Sequence, residues 1–183
     1  MTTRTLVTYA SCTDFTVGVA ESIGRTLTES SFEVQVIPMK EVVDLSQYDA
    51  IVAGSAIQSS RWLPEAMDFL QSNQEIMQQR PCAVFLVCMT LAMRNAEKYR
   101  PFVSDFLNPV RSIIQPVSEG LFAGGLNISK VPSLSDRLKF RISVLFRVWK
   151  EGDHRDWNAI NAWGRSLSSK LLGGHCITPS IKG

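Results

Sequence analysis

Short, solidly apolar runs and longer stretches of helical periodicity take turns along the 183-residue chain. Thr5 to Tyr9 is a β-type run. A hydroxyl-rich loop, Ser11-Cys12-Thr13-Asp14-Phe15-Thr16, follows it, and Val17, Val19, Ala20, Ile23 and Leu27 then recur at the spacing of an amphipathic helix over 16–30. Glu33 to Ile37 alternates as a half-buried strand and stops at Pro38, while Met39 to Tyr48 is a polar connection with room for one helical turn. Ala50-Ile51-Val52-Ala53-Gly54 and Pro81 to Cys88 are apolar throughout, the mark of parallel strands buried on both faces. Between them, Pro64 suits the first turn of a helix reaching Gln79. A further helix is expected from Asn95 to Leu107, entered or weakened by Pro101, and a fifth strand from Ser118 to Leu126. Asp153 to Asp156 reads as the capped start of a last helix that carries Trp157, Ile160, Trp163, Leu167 and Leu171 and ends at Gly173-Gly174.

Strands that alternate with helices in this way predict an α/β fold, a doubly wound five-stranded parallel sheet of order 2-1-3-4-5. Such sheets bind ligands beyond the carboxyl ends of their strands, here strands 1, 3 and 4. A single domain is expected over residues 1–175, with a basic amphipathic insertion at 134–150, a C-terminal helix, and a frayed tail at 176–183. A composition of 45% hydrophobic and 20% charged residues fits one sizeable core. The first apolar run, Leu6-Val7, is too short for a signal peptide, and no stretch reaches the roughly 18 apolar residues of a transmembrane helix. The expected location is the cytoplasm, with the inner face of the membrane as an alternative. Cys12, Cys82, Cys88 and Cys176 lack metal or disulfide spacing and read as reduced thiols. The basic residues are dispersed except in one late segment, which leaves nucleic-acid binding without support.

The first loop carries the chemistry. A strand emptying through Ser and Thr hydroxyls into a helix N-terminus presents N–H groups and a positive dipole end to a phosphate. No Gly-Lys pair occurs anywhere, which excludes a P-loop, and the loop has no glycine before Gly18, which excludes a dinucleotide turn. A low-molecular-weight tyrosine phosphatase would need an Arg six residues after Cys12, where Gly18 stands. Ser11-Cys12-Thr13-Asp14-Phe15-Thr16 instead resembles the flavodoxin phosphate loop, Ser/Thr-x-Ser/Thr-Gly-x-Ser/Thr, departing from it where Asp14 replaces the glycine. That departure trades a position tolerant of positive φ for a carboxylate beside the phosphate. The resemblance implies FMN as cofactor, held by these six residues. Two further loops would flank its ring: Ser55, Ala56, Ile57, Gln58, Arg61 and Trp62 after strand 3, and Cys88, Met89, Thr90 and Leu91 after strand 4. Trp62 either stacks on the flavin or packs in the core. No Tyr stands in the last loop, so the outer flavin face is either bare or covered by Met89 or Leu91. His154 and His175 read as surface or capping residues, and no catalytic side-chain set assembles at the strand ends.

Tyr9-Ala10-Ser11, Gly54-Ser55-Ala56-Ile57, Phe122-Ala123-Gly124-Gly125-Leu126, the basic insertion and Gly152-Asp153-His154-Arg155-Asp156-Trp157 occur in an order similar to that of the menaquinone-dependent protoporphyrinogen dehydrogenase family. That resemblance implies a flavodoxin-fold oxidoreductase of haem biosynthesis, passing electrons from protoporphyrinogen IX, a tetrapyrrole, to a quinone-type acceptor. The alternative is a non-catalytic electron-transfer subunit serving a partner reductase as redox-protein acceptor. Acidic charge steers freely diffusing flavodoxins to basic partners, whereas this chain carries a net charge of +2. A homo-oligomer is left open. A receiver domain of the same topology would need acidic residues after strand 1 and an Asp where Gly54-Ser55 stands.

Residues 134–150 place Lys139, Ser143, Arg147 and Lys150 on one side of a helical wheel and Leu134, Leu138, Ile142, Leu145 and Trp149 on the other. Leu138 to Val144 also alternates as a strand. A basic helix with aromatic residues suits an anionic membrane surface, and one packed on the sheet with a solvated basic rim fits the same pattern. The membrane reading predicts co-sedimentation with anionic liposomes at low salt and release at high salt, weakened by neutralising Arg147 and Lys150 with FMN still bound. Binding indifferent to salt or to these substitutions rules out electrostatic docking.

Overall fold

The computed structural model describes residues 2–93, 95–126 and 152–173; the basic segment at 134–150 and the tail at 176–183 lie outside the described residues. The chain runs β1 (Arg4–Ala10), α1 (Asp14–Glu29), β2 (Glu33–Pro38), β3 (Ala50–Gln58), β4 (Arg61–Trp62), α2 (Pro64–Ser72), α3 (Gln74–Gln78) and β5 (Cys82–Cys88). It continues through α4 (Ala96–Ser104), α5 (Asn108–Ile113), β6 (Ser118–Ala123), β7 (Gly125–Leu126), β8 (Gly152–Asp153) and α6 (Trp157–Gly173). Five parallel strands form one sheet in the order β2-β1-β3-β5-β6. With the two-residue β4 set aside, this is the expected 2-1-3-4-5 order. The connection reverses direction at β1, which lies between β2 and β3.

Alternation along the central strands divides the interior into two cores. Leu6, Ile51, Ala53, Val84 and Leu86 face α2, α3, α4 and α5, whereas Val7, Val52, Ala83, Phe85 and Val87 face α1 and α6. These strands are therefore apolar on both sides, and no solvent face is left to carry polar residues. On the α1/α6 side, Phe85, Phe122 and Trp163 pack tilted or edge to face, with centroids 5.5 to 6.3 Å apart. Helices α1 and α6 lie side by side, joined by the Ser22 hydroxyl donating to Asn161 Oδ1 at 2.6 Å. Asp156 caps α6, accepting the Ala159 N–H at 3.0 Å, as the Asp-rich approach predicts.

The structure departs from the sequence expectation where side chains compete with regular backbone. The helix expected to Gln79 breaks at Asn73, whose amide donates back to the Phe69 carbonyl at 2.8 Å. The helix expected to Leu107 tightens into a 3₁₀ turn at Asp105–Leu107, and a new helix, α5, begins with Pro109 in its first turn. Arg111 holds that helix in place. Its guanidinium pairs with both Glu119 carboxylate oxygens at 2.6 and 2.7 Å and reaches Ser104 and Asn108, tying α5 to edge strand β6 and the end of α4. Strand 3 runs four residues past Gly54, and the fifth strand ends at Ala123.

Gly54 lies against the outer edge of the Phe85 ring: a Cβ there would stand 2.0 to 2.4 Å from Cζ, Cε1 and Cε2. Both residues are fully buried on adjacent paired positions, leaving neither strand room to yield. Gly54→Ala is expected to destabilise the fold by about 1 to 3 kcal/mol through overpacking. Urea unfolding should show a lower midpoint at unchanged slope, and adding Phe85→Leu should recover part of the loss.

Candidate functional site

Sheet register brings the three loops together. Ala10, the last residue of β1, pairs with Ser55; Ala56 pairs with Val87; and Cys88, the last residue of β5, pairs with Ala123. The loop after β1, the hairpin after β3 and the turn after β5 thus emerge side by side at the carboxyl edge, next to the switch point at β1.

In the first loop, the Ser11 hydroxyl donates to the Thr13 carbonyl and accepts the Thr13 N–H at 3.2 Å. Helix α1 begins at Asp14 with Thr13 as N-cap, yet the Thr13 side chain makes no capping bond. The helix start is therefore not closed by its own cap and is suited to an external anion. Asp14 is exposed, lies within the helix and is not among the positive-φ residues, so its position requires no glycine. Cys12 is exposed, but partial desolvation, with the Glu65 carboxylate adding to it, pushes its thiol up and away from the thiolate a phosphatase nucleophile needs. Phe15 is half-buried, and Thr16 is 1% exposed.

The second loop is a β-hairpin in which Ile57 pairs with Trp62 and Gln58 with Arg61. Its tip holds Ser59 and Ser60 at φ 51° and 62°, a left-handed pair that glycine and asparagine usually supply. That conformation costs about 1 to 2 kcal/mol per residue. The base of the hairpin holds it: Ser55 Oγ donates to the Ala56 carbonyl at 2.8 Å and accepts the Leu63 N–H at 3.1 Å. The Ser55 hydroxyl is thus engaged by the hairpin's own backbone, while Ala56 and Ile57 are half-buried and Gln58, Ser59, Ser60 and Arg61 are exposed. Trp62 is 4% exposed and belongs to the core on the α2 side. Its packing reading is the one the structure shows, because pairing with Ile57 turns the indole inward. In the third loop Cys88 and Leu91 are buried, whereas Met89 and Thr90, on a 3₁₀ turn, are half-buried at the edge.

A family model for the flavodoxin domain matches residues 6–154. The chain belongs to the flavodoxin family. The sheet of this flavodoxin is similar to that of an archaeal flavodoxin (18% identity, TM-score 0.54, covering 92% of this chain and 99% of that one). Oxidised flavodoxin 1 from Bacillus cereus is similar too (17% identity, TM-score 0.52, 93% and 98%). Against the flavodiiron protein from Giardia intestinalis (13% identity, TM-score 0.54), the match covers 93% of this chain and 36% of that one. At these identities the likeness is one of fold. No curated protein matches the chain by sequence. Family membership supports FMN as the cofactor, and the uncapped start of α1 fits its phosphate.

One set of residues by the site was read in the sequence only as a helix cap and as motifs of a family resemblance. Gly125–Leu126 pairs antiparallel with Gly152–Asp153, and the His154 N–H donates to the Gly124 carbonyl at 3.1 Å. This ladder returns the chain to the flavodoxin edge, where Arg155 reaches the first loop. The adjacent opposite charges of Asp153 and Arg155 are the only signal the sequence carried, and such a pair is commonplace. Among the described residues, no helix is long and apolar enough to cross a membrane.

Asp14 sits exposed at the start of α1, where its carboxylate would oppose a bound phosphate by on the order of 1 kcal/mol with solvent screening. Asp14→Gly and the more conservative Asp14→Asn are both expected to tighten FMN binding about five-fold. Fluorescence titration measures this directly; looser binding in either variant would mean that the carboxylate organises the loop.

Proposed function

We propose that this flavodoxin is an FMN-dependent oxidoreductase that exchanges electrons with a small reduced substrate, and that its substrate is protoporphyrinogen IX and its acceptor a quinone. The observation that carries the reading is the lack of an aromatic screen: the loops at 55–62 and 88–93 hold one aromatic residue, Trp62, and it is buried in the core. Phe15, in the first loop, has its ring against Gly125 and Arg155. Among the described residues, no aromatic side chain of these two loops would screen the outer face of a flavin seated on this edge. Bound FMN supplies the redox chemistry, taking up reducing equivalents and passing them on.

The chain's own residues then have limited tasks. The start of α1, with Ser11 and Thr13, would hold the phosphate, and the hairpin from Ala56 to Gln58 together with Met89 and Thr90 would border the flavin. No side chain is assigned to proton transfer. The late motifs, from Phe122 to Leu126 and from Gly152 to Trp157, support the tetrapyrrole substrate by resemblance. A net charge of +2 supports a fixed or small-molecule exchange over free diffusion between acidic-steered partners. The second reading, an electron-transfer subunit, is favoured by the similarity to flavodoxins and to one segment of a larger flavodiiron protein.

The test is anaerobic. Purified protein loaded with FMN is mixed with protoporphyrinogen IX and a soluble menaquinone analogue, and porphyrin fluorescence is followed with quinol formation. Porphyrin and quinol appearing together support the enzyme, with each electron pair leaving the substrate recovered in quinol. Tight FMN binding without turnover supports the electron-transfer subunit, and absence of FMN binding overturns both.

A further inference from the structure

Arg155 is far from α1 in sequence but closes over its first turn. Nη1 donates to the Phe15 carbonyl at 3.1 Å, while Nε and Nη2 grip the Asp153 carboxylate at 2.8 and 2.6 Å. The guanidinium carbon stands 5.1 Å from the Phe15 ring centroid and 4.3 Å from that of Trp157. Its side chain is 13% exposed, and Asp153, which also accepts the Arg155 N–H at 3.0 Å, is held by these bonds below the usual carboxylate range. Every arm of the fork is therefore occupied, and a point charge such as Lys could not make the same set.

Three glycines make room for the arrangement. A Cβ on Gly18 would lie 2.4 Å from Arg155 Nη1, so a side chain one turn into α1 would push the guanidinium away. A Cβ on Gly125 would lie 2.0 Å from the Phe15 ring, which is thus held between the β7 backbone below and Arg155 above. Gly152 has φ +137°, a conformation that side-chain-bearing residues rarely adopt, and it turns the returning chain so that Asp153 and Arg155 face the loop.

We propose that Arg155 is a positioning residue for the FMN phosphate loop: anchored by Asp153, it pins the Phe15 carbonyl and ring so that the donors of the first turn of α1 keep their aim. The inference rests on the assignment of this loop to FMN. Helix ends fray, and a phosphate held by backbone N–H groups is gripped well only if the first turn is ordered beforehand. The cation–π contacts with Phe15 and Trp157 fix the orientation of the guanidinium over the first turn. Because Arg155 acts on the loop rather than on the flavin ring, its effect should be confined to ligands that carry the phosphate.

Riboflavin, which lacks the phosphate, separates this role from general support of the fold. Affinities for FMN and riboflavin are measured by fluorescence quenching for the wild type, Arg155→Met, Arg155→Lys and Gly18→Ala, with thermal unfolding followed in parallel. Arg155→Met is expected to lose about ten-fold or more in FMN affinity while riboflavin binding stays within about two-fold, collapsing the preference between the two. Arg155→Lys should not rescue it. Gly18→Ala, which keeps the Arg and displaces it, should show the same selective loss and serves if Arg155→Met fails to fold. The ³¹P resonance of bound FMN should shift and broaden in each variant. Equal losses for both flavins, full rescue by Lys, or unchanged FMN affinity would overturn the proposal. A wild type that binds neither flavin would instead overturn the assignment of the loop.

Discussion

Burial of the three central strands on both faces is the constraint from which the other features follow. A strand whose neighbouring residues point into two separate cores cannot border solvent on either side, so helices must cover both. Crossover connections through those helices keep the strands parallel, and parallel strands all release their chains at the same edge. The site is a by-product of that geometry. Three loops with no sequence proximity, after Ala10, after Gln58 and after Cys88, become neighbours because Ser55 and Val87 are where the register puts them. Gly54 shows how tight the requirement is, since the Phe85 ring of the next strand fills the space a side chain would need.

Within the site, the division of labour is between backbone and side chains. Several residues that attract attention by type are spent on holding the loops: Ser55 closes the hairpin, Trp62 anchors it in the core, and Cys88 and Leu91 sit under the third turn. What remains open to a ligand is mostly backbone, with the Thr13 hydroxyl at the head of α1, while the Ser11 hydroxyl is engaged by the Thr13 backbone. A cofactor gripped by N–H groups depends on how firmly the loop is held, and here the firmness is supplied from outside the loop. The substitution of Asp for glycine at position 14 is tolerated because that residue is already helical.

Beside the sheet, Gly125–Leu126 and Gly152–Asp153 pair over two residues in an antiparallel ladder that brings positions 126 and 152 together. Immediately beyond the ladder, Asp153 and Arg155 reach α1, and Asp156 begins α6, which packs along the same helix. The first loop, the stem and the last helix therefore form one packed unit on the α1 side of the sheet. Arg111 plays the corresponding part at the far edge, where its bidentate pair with Glu119 fastens α5 to β6.

The sequence by itself determined the fold class and the order of the parallel strands, because these rest on local signals: continuous apolar runs and helical spacing. It also determined the cap of the last helix, where Asp156 precedes Trp157. The break at Asn73, the left-handed serines at 59 and 60, and the burial of Trp62 were decided by tertiary structure, since each depends on which groups were left to satisfy once the strands had paired. The role of Arg155 is the clearest case. Nothing local distinguishes it from other charged residues, and it reaches Phe15 only because β7 pairs with β8 and α6 lies against α1, contacts that exist only after the chain has closed on itself.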